Sequence, residues 1–168
     1  MKKSFLLLLV SLLMPVMASA QVYAYIIDND GANTNIREAP GGKVVYQLPT
    51  DQSFVVELLK FKGNWWKISE VVSREGDDPA EITLTGSKKG YWIHNSLLQF
   101  TVAGDPTGFL HTRPSKNARR IILDDSTELE LRPLEKNGQW VKVVTTNGRY
   151  TGWMHSDKIC FNPLTTCP

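Results

Sequence analysis

Gly63-Asn64-Trp65-Trp66-Lys67-Ile68 returns 75 residues later as Gly138-Gln139-Trp140-Val141-Lys142-Val143. Each segment sets a glycine-led turn ahead of an alternating run. Successive side chains of a strand point to opposite faces. Trp65 and Lys67 therefore share one face, opposite Trp66 and Ile68. Trp140 and Lys142 share the corresponding face, opposite Val141 and Val143. Burial of an ammonium group is costly, so the lysine-bearing face is the outer one. Trp66, Ile68, Val141 and Val143 are assigned to the interior, and Trp65 and Trp140 to the outside.

The repetition extends in both directions. Asn35-Ile36-Arg37-Glu38-Ala39-Pro40 precedes the first segment, and Gly90-Tyr91-Trp92-Ile93-His94 follows it. Gly108-Phe109-Leu110-His111-Thr112-Arg113-Pro114 and Gly152-Trp153-Met154-His155 bracket the second. Arg37 and Arg113 are 76 apart but Trp92 and Trp153 only 61, so the first copy carries about 14 extra residues between Ile68 and Gly90. This insertion, Ser69 to Lys89, is rich in charge, Gly and Ser and contains Pro79. It reads as a long hairpin or loop on the rim, with Glu81 to Thr85 as one arm. Gly104-Asp105-Pro106 marks the turn between copies.

Lys43 to Leu48, Phe54 to Leu59, Trp65 to Val71 and Tyr91 to Leu97 are short runs rich in β-branched and aromatic residues. Arg120 to Leu123, Glu128 to Leu131, Trp140 to Val144 and Gly152 to His155 are the same in the second copy. Gly, Pro, Asn and Asp separate them, and no window after residue 20 has a convincing helical period. The fold is expected to be all-β.

Each copy resembles a bacterial SH3-like (SH3b) domain, a small β-barrel. The shared features are Asn35-Ile36-Arg37 with Pro40, a strand-turn-strand, Gly-x-Trp before an alternating strand, and Gly-Trp-x-His near the end. The second copy departs from the pattern where Leu110-His111-Thr112-Arg113 replaces Asn-Ile-Arg, although an Arg-Pro pairing survives. The resemblance implies two tandem SH3-like barrels: residues 21–101 with the insertion at about 69–89, and residues 102–168. It further implies cell-wall peptide or glycan as ligand.

The first twenty residues stand apart. Lys2 and Lys3 lead an apolar run from Phe5 to Val16, broken by Pro15, and Ala18-Ser19-Ala20 supplies a small-x-small cleavage site. That is the pattern of a cleaved secretory signal peptide over residues 1–20, not of a stable membrane span. The mature chain is expected to begin at Gln21 and to be exported, either periplasmic or secreted. Lys2 and Lys3 account for the whole formal charge of +2. The balanced remainder argues against a nucleic-acid partner, and no basic amphipathic run suggests a membrane surface. Cys160 and Cys167 fall in the last nine residues. In an oxidising compartment a Cys160–Cys167 bridge closing the tail is the natural reading. No metal site or cofactor is expected, and the chain is expected to be a monomer.

By the same alternation Ile93 and Met154 point inward, while Trp92 and His94, and Trp153 and His155, point outward. The candidate ligand-binding residues are therefore Trp65, Trp92, Trp140, Trp153, His94 and His155. An outward Trp offers flat apolar area with an indole donor, which suits sugars and peptide stems. Two roles are open to these rings: sealing the barrels or packing between copies, and contacting a ligand. The histidines could equally bond nearby backbone, and Arg37 and Arg113 could pin loops through backbone carbonyls. Neither Gly-x-Ser-x-Gly nor His-Glu-x-x-His occurs, and Asp124-Asp125 reads as turn chemistry. No enzyme is expected. The expected function is a non-catalytic binding or targeting protein of the cell envelope. The alternative is a protein-interaction module, an inhibitor or accessory subunit, acting through the insertion or an exposed strand edge.

Overall fold

A computed structural model of the chain describes residues 21–74, 80–102, 108–123 and 130–160. In the first copy the strands are β1 (Tyr23–Ile26), β2 (Thr34–Arg37), β3 (Val44–Leu48), β4 (Phe54–Lys62), β5 (Trp65–Ser73), β6 (Ala80–Ile82), β7 (Tyr91–His94), β8 (Leu98–Gln99) and β9 (Thr101–Val102). In the second they are β10 (Phe109–His111), β11 (Arg120–Ile122), β12 (Leu131–Asn137), β13 (Trp140–Thr145), β14 (Thr151–His155) and β15 (Ile159–Cys160). The described residues contain no α-helix, and the fold is all-β.

The glycine-led turns act as the sequence demands. Lys62 faces Trp65 across the β4–β5 ladder, and Asn137 faces Trp140 across β12–β13, so each connection has two residues. Gly63 and Gly138 open these connections with φ of 61° and 58°. Positive φ at the first connecting residue is the backbone of a type II′ hairpin, whose twist matches the strands it joins.

The first copy forms a sheet in the order β3-β2-β7-β5-β4-β1-β8, with β6 alongside β5. The second forms β11-β10-β14-β13-β12. The insertion is a hairpin, as expected: β5 continues to Ser73, and Val71 faces Ile82 on β6. The expected strand Tyr91 to Leu97 stops at His94. Asn95–Leu97 is a single 3-10 turn, and Ser156–Lys158 repeats it after His155.

The inward assignments hold. Trp66, Ile68, Ile93, Val141, Val143 and Met154 are all buried. The buried side chains of both copies join in one continuous cluster. Half a chain of this size buries too little surface to be stable with ease, and a shared interior offsets that. Phe100 and Leu131 exchange backbone hydrogen bonds of 3.0 and 2.8 Å across the junction. Trp66 Nε1 donates to Pro133 O at 3.1 Å, and Lys136 Nζ donates to Leu58 O at 3.3 Å. β9 also pairs with β15, tying the end of the first copy to the end of the second.

Burial moves three titratable groups. Tyr25 is pushed up to about 12 by its burial and then by the charge of Glu130, against a hydrogen bond with Gln99. Tyr23 is also pushed up to about 12, by burial and then by its 2.8 Å hydrogen bond to Glu70 and the neighbouring carboxylates. Desolvation holds Lys136 below the usual lysine range, although Glu57 acts in the opposite sense. Cys160 is buried on β15. Its expected partner Cys167, the signal segment 1–20 and Asp124-Asp125 lie outside the described residues.

Candidate functional site

Cross-strand register brings the outward residues together in the same way twice. Trp65 faces His94 and Lys67 faces Trp92 across β5–β7. Trp140 faces His155 and Lys142 faces Trp153 across β13–β14. The Trp65 and His94 rings meet edge to face at 4.9 Å, and those of Trp140 and His155 at 5.1 Å. Each histidine then caps the turn that follows it. His94 Nδ1 accepts from Ser96 N–H at 3.3 Å, and His155 Nδ1 lies 3.4 Å from Asp157 N. The backbone role open to these histidines is thus present, together with a ring contact to the outward indole.

Register also corrects the alignment of the copies. Arg37 on β2 pairs with Trp92, and His111 on β10 pairs with Trp153. The counterpart of Arg37 is therefore His111, and Ile36 matches Leu110, both fully buried. The guanidinium of Arg37 lies 5.8 Å from the centre of the Trp65 ring, and the His111 ring meets Trp140 edge-on at 5.1 Å. Each also holds the loop after its strand: Arg37 Nη1 donates to Gly42 O at 2.7 Å, and His111 Nδ1 lies 3.2 Å from Ala118 O. A carbonyl can only accept, so the His111 proton sits on Nδ1. Arg37 pins a loop as its residue type allows. Arg113 lies exposed in the turn beyond β10.

Three of the four outward tryptophans, Trp65, Trp92 and Trp140, are partly exposed. Trp153 is the correction, at 9% exposure. Alternation places it on the outer face, but it lies in register with His111, itself only 7% exposed under the folded-back loop 112–119. The face was legible; the loop over it was not.

Beside Trp140 the outer face hollows into a groove of about 290 Å³. Phe109, His111, Trp140 and His155 supply its aromatic lining, and Lys116, Arg120, Lys158 and Asp157 its charge. The Arg120 guanidinium carbon lies 4.2 Å from the centre of the Phe109 ring. Asp157 Oδ1 is 2.8 Å from His155 Nδ1, and His155 Nε2 is 3.1 Å from Gln139 Oε1. Phe109, Lys116, Arg120, Asp157 and Lys158 were not singled out by the sequence. The signal available was that Arg-x-x-Pro and Arg-Pro differ in spacing, so the 76-residue offset could not hold along β10. Among the described residues no three His, Cys, Asp or Glu side chains gather as a metal would require.

No protein-family model matches the sequence, and no curated protein matches it. Two solved structures, NlpC2 and NlpC1 from Trichomonas vaginalis, are similar over 86% of this chain at 12% identity, with TM-scores of 0.30 and 0.29. The chain spans about half the length of each, 49% and 47%.

Proposed function

We propose that this protein is a non-catalytic binding protein of the bacterial cell envelope, built from tandem SH3-like modules, and that it recognises cell-wall peptide or glycan through the groove beside Trp140. The observation that carries this reading is the groove itself. It joins a partly exposed indole to convergent polar groups, the arrangement expected of a ligand site. Its volume suits one sugar ring or a pair of small side chains, not an extended polymer. The sequence pattern of residues 1–20 supports delivery to the envelope. The test is retention on purified peptidoglycan. The intact protein is retained and Trp140→Ala passes into the unbound fraction; an intact protein that fails to be retained would refute the reading.

A second reading has an observation of its own. β11 ends the sheet order of the second copy, and its Ile122 is 60% exposed. An exposed strand edge is a template for pairing with another chain. A protein partner held there would be lost on Ile122→Lys, while retention on peptidoglycan would persist.

A further inference from the structure

We propose that the groove of the second copy is a receptor for carboxylate-bearing ligands and that the equivalent face of the first copy is not, so the duplicated chain binds with one copy only. This rests on reading the groove as a binding site. The register of the two sheets fixes which positions correspond, and the charges differ at those positions. Arg37 pairs with Val44 on β3 at a bulge that leaves Val45 between the paired positions, whereas its counterpart His111 pairs with Arg120 on β11 without a shift, so a valine stands for Arg120 in either alignment. Asn35 gives way to Phe109 by the same register. After the capping histidine, Asn95-Ser96-Leu97 gives way to Ser156-Asp157-Lys158. Val44, Asn35 and Leu97 are thus replaced by Arg120, Phe109 and Lys158, all three of which line the groove.

These replacements work together. The Phe109 ring holds the Arg120 guanidinium carbon 4.2 Å from its centre, and a guanidinium fixed by a ring contact can hold a carboxylate with two hydrogen bonds. Lys158 and Lys116 add charge from the turn and the loop. Among the described lining residues Asp157 is the single acid, against the three cations Lys116, Arg120 and Lys158. In the first copy Arg37, 5.8 Å from the Trp65 ring, donates to Gly42 O, and Lys67 beside Trp65 has its match in Lys142 beside Trp140, so neither distinguishes the two faces. An anion approaching Trp65 meets Val44 and Leu97 where it would meet Arg120 and Lys158 in the second copy.

The test is calorimetric titration of the full mature chain with soluble muropeptides, and with the same muropeptides after their carboxyl groups are converted to carboxamides. Amidation is expected to weaken binding about tenfold or more, as loss of a charge-assisted bidentate contact would. Arg120→Val, which installs the first copy's residue at an exposed site, should weaken binding of the untreated probe to a similar degree. Trp140→Ala should abolish it and Trp65→Ala should leave it unchanged. Equal affinity for the amidated probe, or equal losses from Trp65→Ala and Trp140→Ala, would overturn the inference. If peptidoglycan retention persists in that case, the proposed binding function stands without it; if neither probe binds and retention also fails, both fall.

Discussion

Trp66 closes the interior and joins the copies. Its side chain is fully buried, and its indole N–H reaches both Asn95 Oδ1 at 3.2 Å and Pro133 O at 3.1 Å. Trp66→Phe keeps most of the apolar volume but strips the buried Pro133 carbonyl of that donor. It should cost about 1–3 kcal/mol, and Trp66→Ala about 3–5 kcal/mol, both read from urea unfolding midpoints. Tyr25 makes a second prediction at this scale. Its folded pKa stands above the ordinary tyrosine value, so its contribution to stability is full below about pH 10 and is lost as pH rises towards about 12. Allowing for solvent screening, the loss should be on the order of 1–2 kcal/mol, and Tyr25→Phe should reduce the alkaline slope to the share that Tyr23 contributes. The inward residues were legible because lysine marks the outer face of both alternating strands. Arg120 and Lys158 were not, since nothing local distinguishes a surface cation over a groove from one in open solvent.

Hairpins and turns carry the copies' common design. Gly63 and Gly138 have open space where a Cβ would stand, so any penalty there is conformational alone. Gly138→Ala should lower stability by about 1–2 kcal/mol through its positive φ, measured by thermal or urea unfolding. Gly152 differs, because an added Cβ would lie 2.7 Å from Leu110 Cβ and 2.9 Å from His111 O. Its small size lets β14 pass close to β10, and so sets the pairing of Trp153 with His111. Most of the longer strands were legible from their period, but the expected strand Glu128 to Leu131 lies almost wholly before β12 (Leu131–Asn137), and the short strands β1, β2 and β10 were not expected. Two features were hidden from the period. The loop after β10 folds back onto His111, the register partner of Trp153, and the capping His94 turns the chain at Asn95 where the expected strand ran on to Leu97. Both arise from side chain to backbone contacts that no periodicity encodes.

At the scale of the whole molecule, two similar stretches of sequence share one buried cluster beneath two unlike outer faces. A continuous core tied by Phe100–Leu131 and by β9–β15 should unfold as a unit. Far-ultraviolet circular dichroism and Trp fluorescence should report coincident urea transitions; two separated transitions would show independent modules. If Cys160 and Cys167 are bridged as expected, residues 21–168 should weigh two hydrogens less than their fully reduced form by mass spectrometry. The most direct measurement exploits the five tryptophans, Trp65, Trp66, Trp92, Trp140 and Trp153. In a proton–nitrogen correlation spectrum of residues 21–168, added soluble muropeptides should shift the indole resonance of Trp140 and leave that of Trp65 in place. A shift centred on Trp65, or an unmoved Trp140 at saturating muropeptide, would contradict the account.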